Sequence, residues 1–446
     1  MALALMALLY AVPRSAFGSL IGLWALLGVG YWRLLQQVGL NLRPGRSAWP
    51  PPPGEALRAR WSLRAGLGWR LLAAGAIPPW SDDYFRFIWD GRLWTQGIDP
   101  LRARPVELMS DPTRAAELGL TPELFAGLNS PEYYTIYPPI LQGIFWLAAS
   151  LSPTSIVGAV WVMKGFVLLA EVGSLWLLRD LLRRWQWPES WVAYYALHPL
   201  AVVELCGNLH FEALMITALL GSLWLWERLG RRGWWASALS LALGVLVKLL
   251  PLMLLPLWLR RLGFWRTAGA GLLVLAVSTA GLALVFDLAA LRNLAESVDL
   301  YFHRFEFNAS VYYLVRWAGY QVYGRNIIGQ AGTWLALLTV GLILLYAFTE
   351  RRPRLRGLPT AMLWTFALYL ALTSVVHPWY ATTLLALAPL TRWRWPLLWG
   401  LLLPLSYATY RTPAYLEDLR LTALIYLGAI GWACWEARQR SKPPEI

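Results

Sequence analysis

Three aspartates, Asp82, Asp83 and Asp90, follow directly behind an apolar segment and are the first candidates for chemistry in this sequence. Charge at the rim of a membrane span is costly, so such residues usually have a function. A carboxyl group beside a membrane can have a raised pKa and accept a proton from a hydroxyl group. A simpler interpretation is that Asp82, or Ser81 before it, caps the helix that begins near Tyr84. The spacing nevertheless offers Asp83, with Asp82 beside it, as a candidate general base.

A single lysine, Lys248, interrupts the apolar run 244–251 with no acid nearby in the sequence. An ammonium group buried there requires an anionic partner, and a lipid phosphate would supply one. The alternative is that the long side chain extends to the membrane interface. Another lysine, Lys164, precedes Glu171 by two helical turns, so those two residues are expected to pair structurally.

The residues Glu204, His210 and Glu212 bracket a Gly-Asn turn. A histidine and a glutamate two residues apart do not share a helical face, so they do not form a helical metal pair. Carboxylate and imidazole groups do make strong, directed hydrogen bonds, which suits the hydroxyl groups of an acceptor sugar. A helix cap with a satisfied histidine fits the same residues.

Two later segments repeat this mixture of polar and aromatic side chains. The first is a polar cluster of four residues: His303, Arg304, Glu306 and Asn308. The second is the motif His377-Pro-Trp-Tyr380, whose aromatic rings fit either an interfacial belt or the stacking of a sugar ring.

The composition is that of a membrane protein. Of 446 residues, 58% are hydrophobic and 14% are charged, whereas soluble domains have about 25% charged residues. Many apolar segments approach the roughly 17 residues that a membrane-spanning helix needs. We therefore expect an all-α fold, a polytopic transmembrane helical bundle formed by one domain over residues 1–446. Two cysteines give no disulfide framework and no metal-ligand spacing.

The formal net charge of +14 comes mostly from arginines in short clusters between apolar segments. This pattern is typical of cytoplasmic loops, and it argues against nucleic acid as a partner. The clusters assigned to the cytoplasmic side are Arg43, Arg46, Arg58, Arg60 and Arg64; Arg179, Arg183 and Arg184; Arg228, Arg231 and Arg232; Arg260, Arg261 and Arg266; Arg351, Arg352, Arg354 and Arg356; Arg392 and Arg394; and Arg438 and Arg440. The proline-rich run Trp49–Pro53 is assigned to a loop on the same side.

This assignment places the aspartates in a first outer loop over residues 79–136, with short surface helices. The arginine pattern then requires residues 137–152 to form a re-entrant or interfacial segment. Residues 234–259 have arginines at both ends but can cross the bilayer only once as a helix. Two half-length segments that meet near Lys248 and Pro251 would resolve this, because broken helices at membrane depth line cavities.

The acidic segment Ser81–Arg92, followed by Gly97–Pro100, resembles the first outer loop of GT-C glycosyltransferases. The members it resembles are the bacterial mannosyltransferases that use polyprenyl-phosphate-mannose. Four further elements recur in the order of that family, and of the eukaryotic mannosyltransferase of glycosylphosphatidylinositol assembly. They are Tyr137-Pro-Pro139, Pro199 to Glu204 with Gly207, Asn208 and His210, Lys248 to Pro256, and His377 to Tyr380.

The resemblance implies roles for several residues. Asp83 corresponds to the presumed catalytic base, with Asp82 as its neighbour, while Lys248, His377 and Tyr380 correspond to residues that line the lipid-phosphate and sugar cavity. This chain has Leu249-Leu250 where relatives tend to have a tyrosine after the lysine. It has Phe211-Glu212 where they tend to have an acid soon after the histidine, so the resemblance leaves the acceptor open.

The resulting hypothesis is an inverting transfer of a hexose, with mannose expected, at the outer face of the cytoplasmic membrane. The donor would be a polyprenyl-phosphate sugar and the acceptor a glycan or glycolipid. Asp83 would take the acceptor proton and Lys248 would offset charge on the leaving phosphate. The residues expected to bind substrate are Asp90, Arg92, Tyr137, Glu204, His210, Glu212, Lys248, His303, Asn308, His377 and Tyr380. No cofactor is expected, and a divalent metal stays open because the acids are paired.

Two other functions fit parts of this pattern. A transporter or flippase for a lipid-linked solute would also use broken helices around a buried lysine, but usually has two similar halves. A polysaccharide polymerase or ligase would also place charged residues in outer loops, but typically has a large late loop.

Overall fold

The computed structural model, which describes residues 1–40, 54–350 and 353–441, is built from helices. Within those ranges the β-structure is limited to an isolated parallel bridge between Phe307 and Val375. The predicted all-α fold is therefore confirmed. Several residues of the arginine pattern lie outside the described ranges, namely Arg43, Arg46, the run 49–53, Arg351 and Arg352.

The α-helices of the described residues are, in chain order, α1 (Ala2–Ala11), α2 (Phe17–Gln37), α3 (Glu55–Ala74), α4 (Asp83–Thr95), α5 (Pro105–Leu108), α6 (Pro112–Glu117), α7 (Pro122–Ala126), α8 (Pro139–Leu151), α9 (Ile156–Arg184), α10 (Ala193–Ala196), α11 (Glu212–Leu229), α12 (Trp234–Val247), α13 (Leu259–Leu262), α14 (Phe264–Val285), α15 (Leu288–Arg304), α16 (Val311–Tyr323), α17 (Ile328–Thr349), α18 (Leu358–Leu372), α19 (Thr382–Leu387), α20 (Trp395–Leu402) and α21 (Leu419–Ser441). Segments of 3₁₀ helix connect some of them, and Ala201–Gly207 is a π-helix.

Five helices of the described chain are long and apolar enough to cross a membrane: α2, α9, α14, α17 and the segment Leu355–Leu372. A sixth crossing is possible where Ala201–Gly207 and Glu212–Val247 meet at a bend of 116°. Because a helix in lipid satisfies its own backbone, this number of apolar helices supports a multi-pass membrane protein.

A buried ion pair joins α3 to α9. The Nε atom of Arg70 donates to a carboxylate oxygen of Glu171 over 2.6 Å, and both side chains are fully buried. The hydroxyl group of Tyr195 donates to the other oxygen of Glu171 over 2.6 Å. Each oxygen of the buried carboxylate thus accepts a hydrogen bond, and a buried carboxylate needs such partners to be stable.

The predicted pairing of Lys164 with Glu171 is wrong. Lys164 is 1% exposed, and its ammonium group donates to the carbonyl oxygens of Ala76 and Gly207, the latter over 2.8 Å. Both carbonyl groups lie just before segments that carry site residues. Arg70 occupies the face of α9 where Glu171 lies, so tertiary contacts replace the pair that spacing alone suggests.

Helices α11 and α12 form an antiparallel hairpin that closes at Gly230–Gly233. At its open end, the ammonium group of Lys248 pairs with a carboxylate oxygen of Glu212. Lys248 has extended backbone angles (φ −159°, ψ 135°) directly after α12, and a 3₁₀ helix begins at Leu250. The chain therefore breaks at the lysine and leads back toward Arg260.

Close packing of α4 on α8 fixes the acidic helix. A Cβ atom built on Gly91 would lie 2.2 Å from the carbonyl oxygen of Phe145, which is backbone and cannot move aside easily. Glycine therefore allows α4 to approach α8 at a distance that another residue would prevent.

Candidate active site

The acidic pair lies where α4 begins. Asp82 occupies the N-cap position, but its carboxylate makes no capping hydrogen bond and pairs with the guanidinium group of Arg14. The hydroxyl oxygen of Ser81 lies 3.4 Å from the backbone nitrogen of Asp83 and accepts its hydrogen bond. Asp82 is therefore held in an ion pair with Arg14, whereas the carboxylate of Asp83 has other partners.

The carboxylate of Asp83 is half-buried and accepts a hydrogen bond of 2.8 Å from the side-chain amide of Asn129. Burial raises the pKa of Asp83 above its usual value. The nearby imidazole of His210 and the Asn129 hydrogen bond oppose that rise, while the negative charges of Asp82 and Glu212 add to it. A carboxylate with a raised pKa near a half-open surface is suited to accept a proton.

The turn between the π-helix and α11 positions His210. The Nδ1 atom donates to the carbonyl oxygen of Glu204 over 2.8 Å, because a carbonyl group can only accept. In the neutral ring, Nε2 is then the acceptor, and this atom is buried without a hydrogen-bond partner among the described residues. Such an atom is available to a sugar hydroxyl group.

Glu204 supports this turn from below. Its carboxylate accepts hydrogen bonds from the amide of Asn208 over 3.0 Å and from the hydroxyl group of Tyr407 over 2.8 Å. Leu209 adopts a left-handed backbone conformation (φ +62°), which turns the chain so that His210 follows directly. Glu204 is fully buried, so its described contacts are structural.

Lys248 provides the cation of the site. Its ammonium group pairs with Glu212 and lies 4.1 Å from the centre of the Tyr380 ring. The lysine side chain is 32% exposed, whereas that of Glu212 is 7% exposed, so the ammonium group remains open to a further anionic ligand.

Four stacked rings form one wall. The ring of His210 lies 3.8 Å from that of Trp379, which in turn lies 4.3 Å from the ring of His377, and His377 stacks on Phe307 at 4.6 Å. The bridge between Phe307 and Val375 brings the last ring into this stack. The wall joins the motif His377–Tyr380 to the turn at His210.

His377 contributes no positive charge to this wall. Burial lowers the pKa of His377 to about 3, and the nearby His210 and Lys248 side chains act in the same direction. The ring is therefore neutral near neutral pH, and its Nδ1 atom is buried without a hydrogen-bond partner within the described chain. Lys248, and not His377, is therefore the group beside this wall that can balance an anionic ligand.

Tyr137 also lies near Asp83. Its ring packs edge-on against Phe87, with 4.9 Å between the ring centres. Burial raises the pKa of its hydroxyl group well above the usual value, and the nearby charge of Asp83 adds to the effect. The phenol is therefore a neutral hydrogen-bonding group beside the carboxylate.

The structure thus brings together seven of the predicted residues: Asp83, Tyr137, His210, Glu212, Lys248, His377 and Tyr380. The contacts that join them come from the start of α4, the loop before α8, the turn before α11, the break after α12 and the segment after α18. These elements are far apart in the sequence.

Two predicted residues of α4, Asp90 and Arg92, contact residues of the predicted outer loop and of α8. The carboxylate of Asp90 is fully buried and accepts hydrogen bonds from Arg86 over 2.9 Å and Gln142 over 3.1 Å. The guanidinium group of Arg92 donates to the carbonyl oxygen of Gly119 over 2.5 Å. Their described contacts hold the outer loop on α4.

The predicted residues His303 and Asn308 make contacts with other elements. The Nδ1 atom of His303 donates a hydrogen bond to the carbonyl oxygen of Asp299 over 2.9 Å, and its Nε2 atom lies 3.0 Å from the hydroxyl oxygen of Thr333. Asn308 donates to the carbonyl oxygen of Val376 over 3.2 Å, directly before His377. Asn308 therefore supports the aromatic wall from behind, whereas His303 contacts α17.

Sequence reasoning missed Arg14 and Asn129. Arg14 is the one charged residue among residues 1–32, and this isolation is a signal that was available. Asn129 gave no comparable signal, because its approach to Asp83 depends on Gly127. A Cβ atom on Gly127 would lie 2.4 Å from the ring of Phe85, so the loop closes over α4 only with glycine there.

No group of three histidine, cysteine, aspartate or glutamate side chains is arranged to hold a metal ion in the described part of the chain.

An apolar cavity of about 260 Å³ begins beside Lys248. Its walls come from the 3₁₀ segment after the lysine, from α17 and from the end of α18. The lining residues are Leu249, Leu250, Leu252, Met253, Gly332, Leu335, Ala336, Thr339, Val340, Ile343, Tyr369, Leu372, Thr373 and Ser374. Because the cavity is half open and almost wholly apolar, it suits a hydrocarbon chain.

Comparison with known proteins gives one family. The model described as alpha-(1->6)-mannopyranosyltransferase, N-terminal domain, matches residues 3–262, which is more than half of the chain. A search of curated proteins finds no match. The matched segment contains Asp83, His210, Glu212 and Lys248, whereas His377 and Tyr380 lie beyond it.

Proposed function

The chain belongs to the alpha-(1->6)-mannopyranosyltransferase family, and on this premise we propose that it transfers mannose from a polyprenyl phosphate to a glycan hydroxyl group. The protein is a multi-pass membrane glycosyltransferase of mannosyltransferase type. The donor class, the acceptor, the inverting course and the membrane face are proposals, each supported by separate features of the site.

The observation that carries the proposal is that one electrostatic cluster contains both a proton acceptor and a cation. Burial and the nearby carboxylate of Glu212 raise the pKa of Asp83, and Glu212 pairs directly with Lys248. A transfer from a sugar phosphate requires these two groups on either side of the reacting carbon, because one end gains a proton and the other gains negative charge.

In the proposed reaction, the acceptor oxygen forms a bond to the anomeric carbon while the bond from that carbon to the phosphate oxygen breaks. The proton of the acceptor hydroxyl group passes to Asp83. The electron pair of the broken bond goes to the phosphate, whose increased charge is offset by Lys248. Attack from the side opposite the phosphate inverts the anomeric centre in this single displacement.

Two features support a polyprenyl monophosphate as donor. The apolar cavity begins at Leu249, the residue after Lys248, so a phosphate at the ammonium group would have its hydrocarbon tail in that cavity. Because His377 is neutral near neutral pH, Lys248 is the charged group that a phosphate at the mouth of this cavity would meet. One lysine suits a single phosphate better than a nucleotide diphosphate.

The α11–α12 hairpin supports an outer position for the site. Glu212 and Lys248 lie at one end of this hairpin, and Arg231 and Arg232 lie at its turn. The 18 residues of α11 span about 27 Å, close to the thickness of the hydrocarbon core. If the arginines face the cytoplasm, the site faces the opposite side.

The test uses purified protein in detergent with polyprenyl-phosphate-mannose as donor and an octyl alpha-(1->6)-dimannoside as acceptor. We expect transfer from this donor and none from guanosine-diphosphate-mannose. The variant Asp83→Asn removes the proton acceptor and should lower kcat by about a hundredfold or more. The variant Lys248→Met should raise the KM for the donor and leave the KM for the acceptor unchanged.

Asp111 provides a matched control. Its carboxylate caps α6 in the same outer region, and asparagine is an equally good capping residue, so Asp111→Asn should retain activity. Full activity of the Asp83→Asn variant would show that Asp83 is not the base. Transfer from guanosine-diphosphate-mannose at the same rate would overturn the donor assignment.

A further inference from the structure

A tyrosine from the last third of the chain lies beside the acidic pair. Tyr410 is half-buried, and the guanidinium carbon of Arg14 lies 4.5 Å from the centre of its ring. Arg14 also pairs with Asp82, which fixes Tyr410 next to the start of α4. The negative charges of Asp83 and Asp82 both act on the Tyr410 hydroxyl group. This tyrosine therefore borders the candidate base.

Tyr415 extends this surface outward. Its ring meets that of Tyr410 edge-on, with 5.7 Å between centres and an angle of 84°. Yet 58% of its surface is exposed. The residue also adopts a left-handed backbone conformation (φ +50°), which is strained for a tyrosine and persists only where the surroundings hold it.

The loop that carries Tyr415 is held at both ends. The backbone nitrogen of Tyr415 donates to the carbonyl oxygen of Thr412 over 3.1 Å. Arg411 pairs with Asp418 over 3.2 Å and lies 5.2 Å from the centre of the Phe17 ring. The exposed ring is thus presented by an ordered, polar loop beside the α1–α2 turn.

We infer that Tyr410 and Tyr415 form a carbohydrate subsite that binds the acceptor glycan one sugar unit away from the reacting hydroxyl group. An exposed, rigid aromatic ring with a hydroxyl group offers a face for the apolar side of a sugar ring and a hydrogen-bonding edge. Arg411 and Asp418 supply further hydrogen bonds to hydroxyl groups. This inference rests on the proposed function, since Asp83 marks where the reacting hydroxyl group lies.

The position of the subsite predicts a preference for longer acceptors. A monosaccharide acceptor would reach Asp83 without touching Tyr415, whereas a disaccharide would place its second sugar on that ring. Both tyrosines lie outside the segment 3–262, so acceptor recognition would involve a part of the chain that the family match does not include.

The test compares octyl mannoside and octyl alpha-(1->6)-dimannoside as acceptors for the full-length protein. Tyr415→Ala should raise the KM for the dimannoside by about five- to tenfold, which corresponds to the loss of one aromatic stacking contact. The KM for the monomannoside, the KM for the donor and kcat should not change. Tyr415→Phe keeps the ring and should retain most of the affinity.

Leu416 is the matched control, because it is the next residue and is 71% exposed. If the loop only rests in the membrane interface, Leu416→Ala and Tyr415→Ala should have equal effects on both acceptors, and the inference fails. An unchanged dimannoside KM in Tyr415→Ala also overturns it. The Tyr415 variants test the subsite, and the Asp83→Asn variant tests the proposed function. A negative result for one proposal therefore does not decide the other.

Discussion

The hydrogen bond from Asn129 to Asp83 allows the proposed base to be tested through pH rather than through loss of activity. The amide stabilises the charged form of the carboxylate, so it lowers the pKa that burial has raised. The variant Asn129→Leu removes this donor and should raise the pKa of Asp83 further. Because the base acts only when deprotonated, the acidic limb of the kcat/KM profile should move to higher pH.

The size of this shift follows from the geometry. A hydrogen bond to a charged group contributes about 1.5–3 kcal/mol. Asn129 is exposed, so water replaces part of the lost bond and the lower end of the range applies. About 1.4 kcal/mol corresponds to one pKa unit, so the acidic limb should move up by about one unit. The rate at the alkaline plateau should stay close to that of the unaltered protein.

The assay measures mannose transfer across the pH range in two variants, Asn129→Leu and Asp82→Asn. The acidic limb should shift in opposite directions in these two variants. Asp82→Asn removes a neighbouring negative charge and should move the limb to lower pH, since that charge raises the pKa of Asp83. Asn293→Leu is the matched control, because its amide donates to the carbonyl oxygen of Leu101 instead of to a site carboxylate. An unmoved or lowered limb in Asn129→Leu would refute the assignment of Asp83.

Two further predictions concern stability in detergent, measured by thermal unfolding. Gly91→Ala would place a methyl group 2.2 Å from the carbonyl oxygen of Phe145 and should destabilise the fold by about 1–3 kcal/mol. Glu171→Gln leaves the buried guanidinium group of Arg70 without a counter-charge, and we expect a loss of about 3–5 kcal/mol.

Each of these predictions has a matched control. A Cβ atom on Gly143, in α8, meets nothing within 4 Å, so Gly143→Ala should be neutral or slightly stabilising. Glu107 pairs with Arg104 at the surface, where both side chains are about 40% exposed, so Glu107→Gln should have little effect. Equal losses in a variant and its control would show that packing or buried charge is not the cause.

The fold class and the family followed from the sequence because both depend on features that are local. Apolar length predicts membrane helices, and these are confirmed. The ordered short motifs predicted a GT-C-type mannosyltransferase, which the family match confirms. Each apolar segment or motif can be recognised within a few tens of residues. Its recognition therefore does not depend on which helices pack together.

Partners of charged residues could not be predicted in this way. The sequence placed no acid near Lys248, yet Glu212 reaches it from 36 positions away because α11 and α12 form a hairpin. Helical spacing paired Lys164 with Glu171, but α3 packs on that face of α9 and supplies Arg70. The partner of a charged residue is set by which helices pack together, so it cannot be predicted from the spacing along one helix.

Glu212 explains how a lysine can remain charged in the site before a donor binds. A buried ammonium group without a counter-ion would be strongly disfavoured, but the Glu212 carboxylate balances it and Tyr380 covers it. A donor phosphate that reaches the exposed side of Lys248 then shares this ammonium group with Glu212. When the phosphate binds Lys248, the charge of Glu212 is less well balanced, and Glu212 adds to the rise in the pKa of Asp83. Donor binding should therefore make Asp83 a stronger base at the moment when an acceptor proton has to be removed.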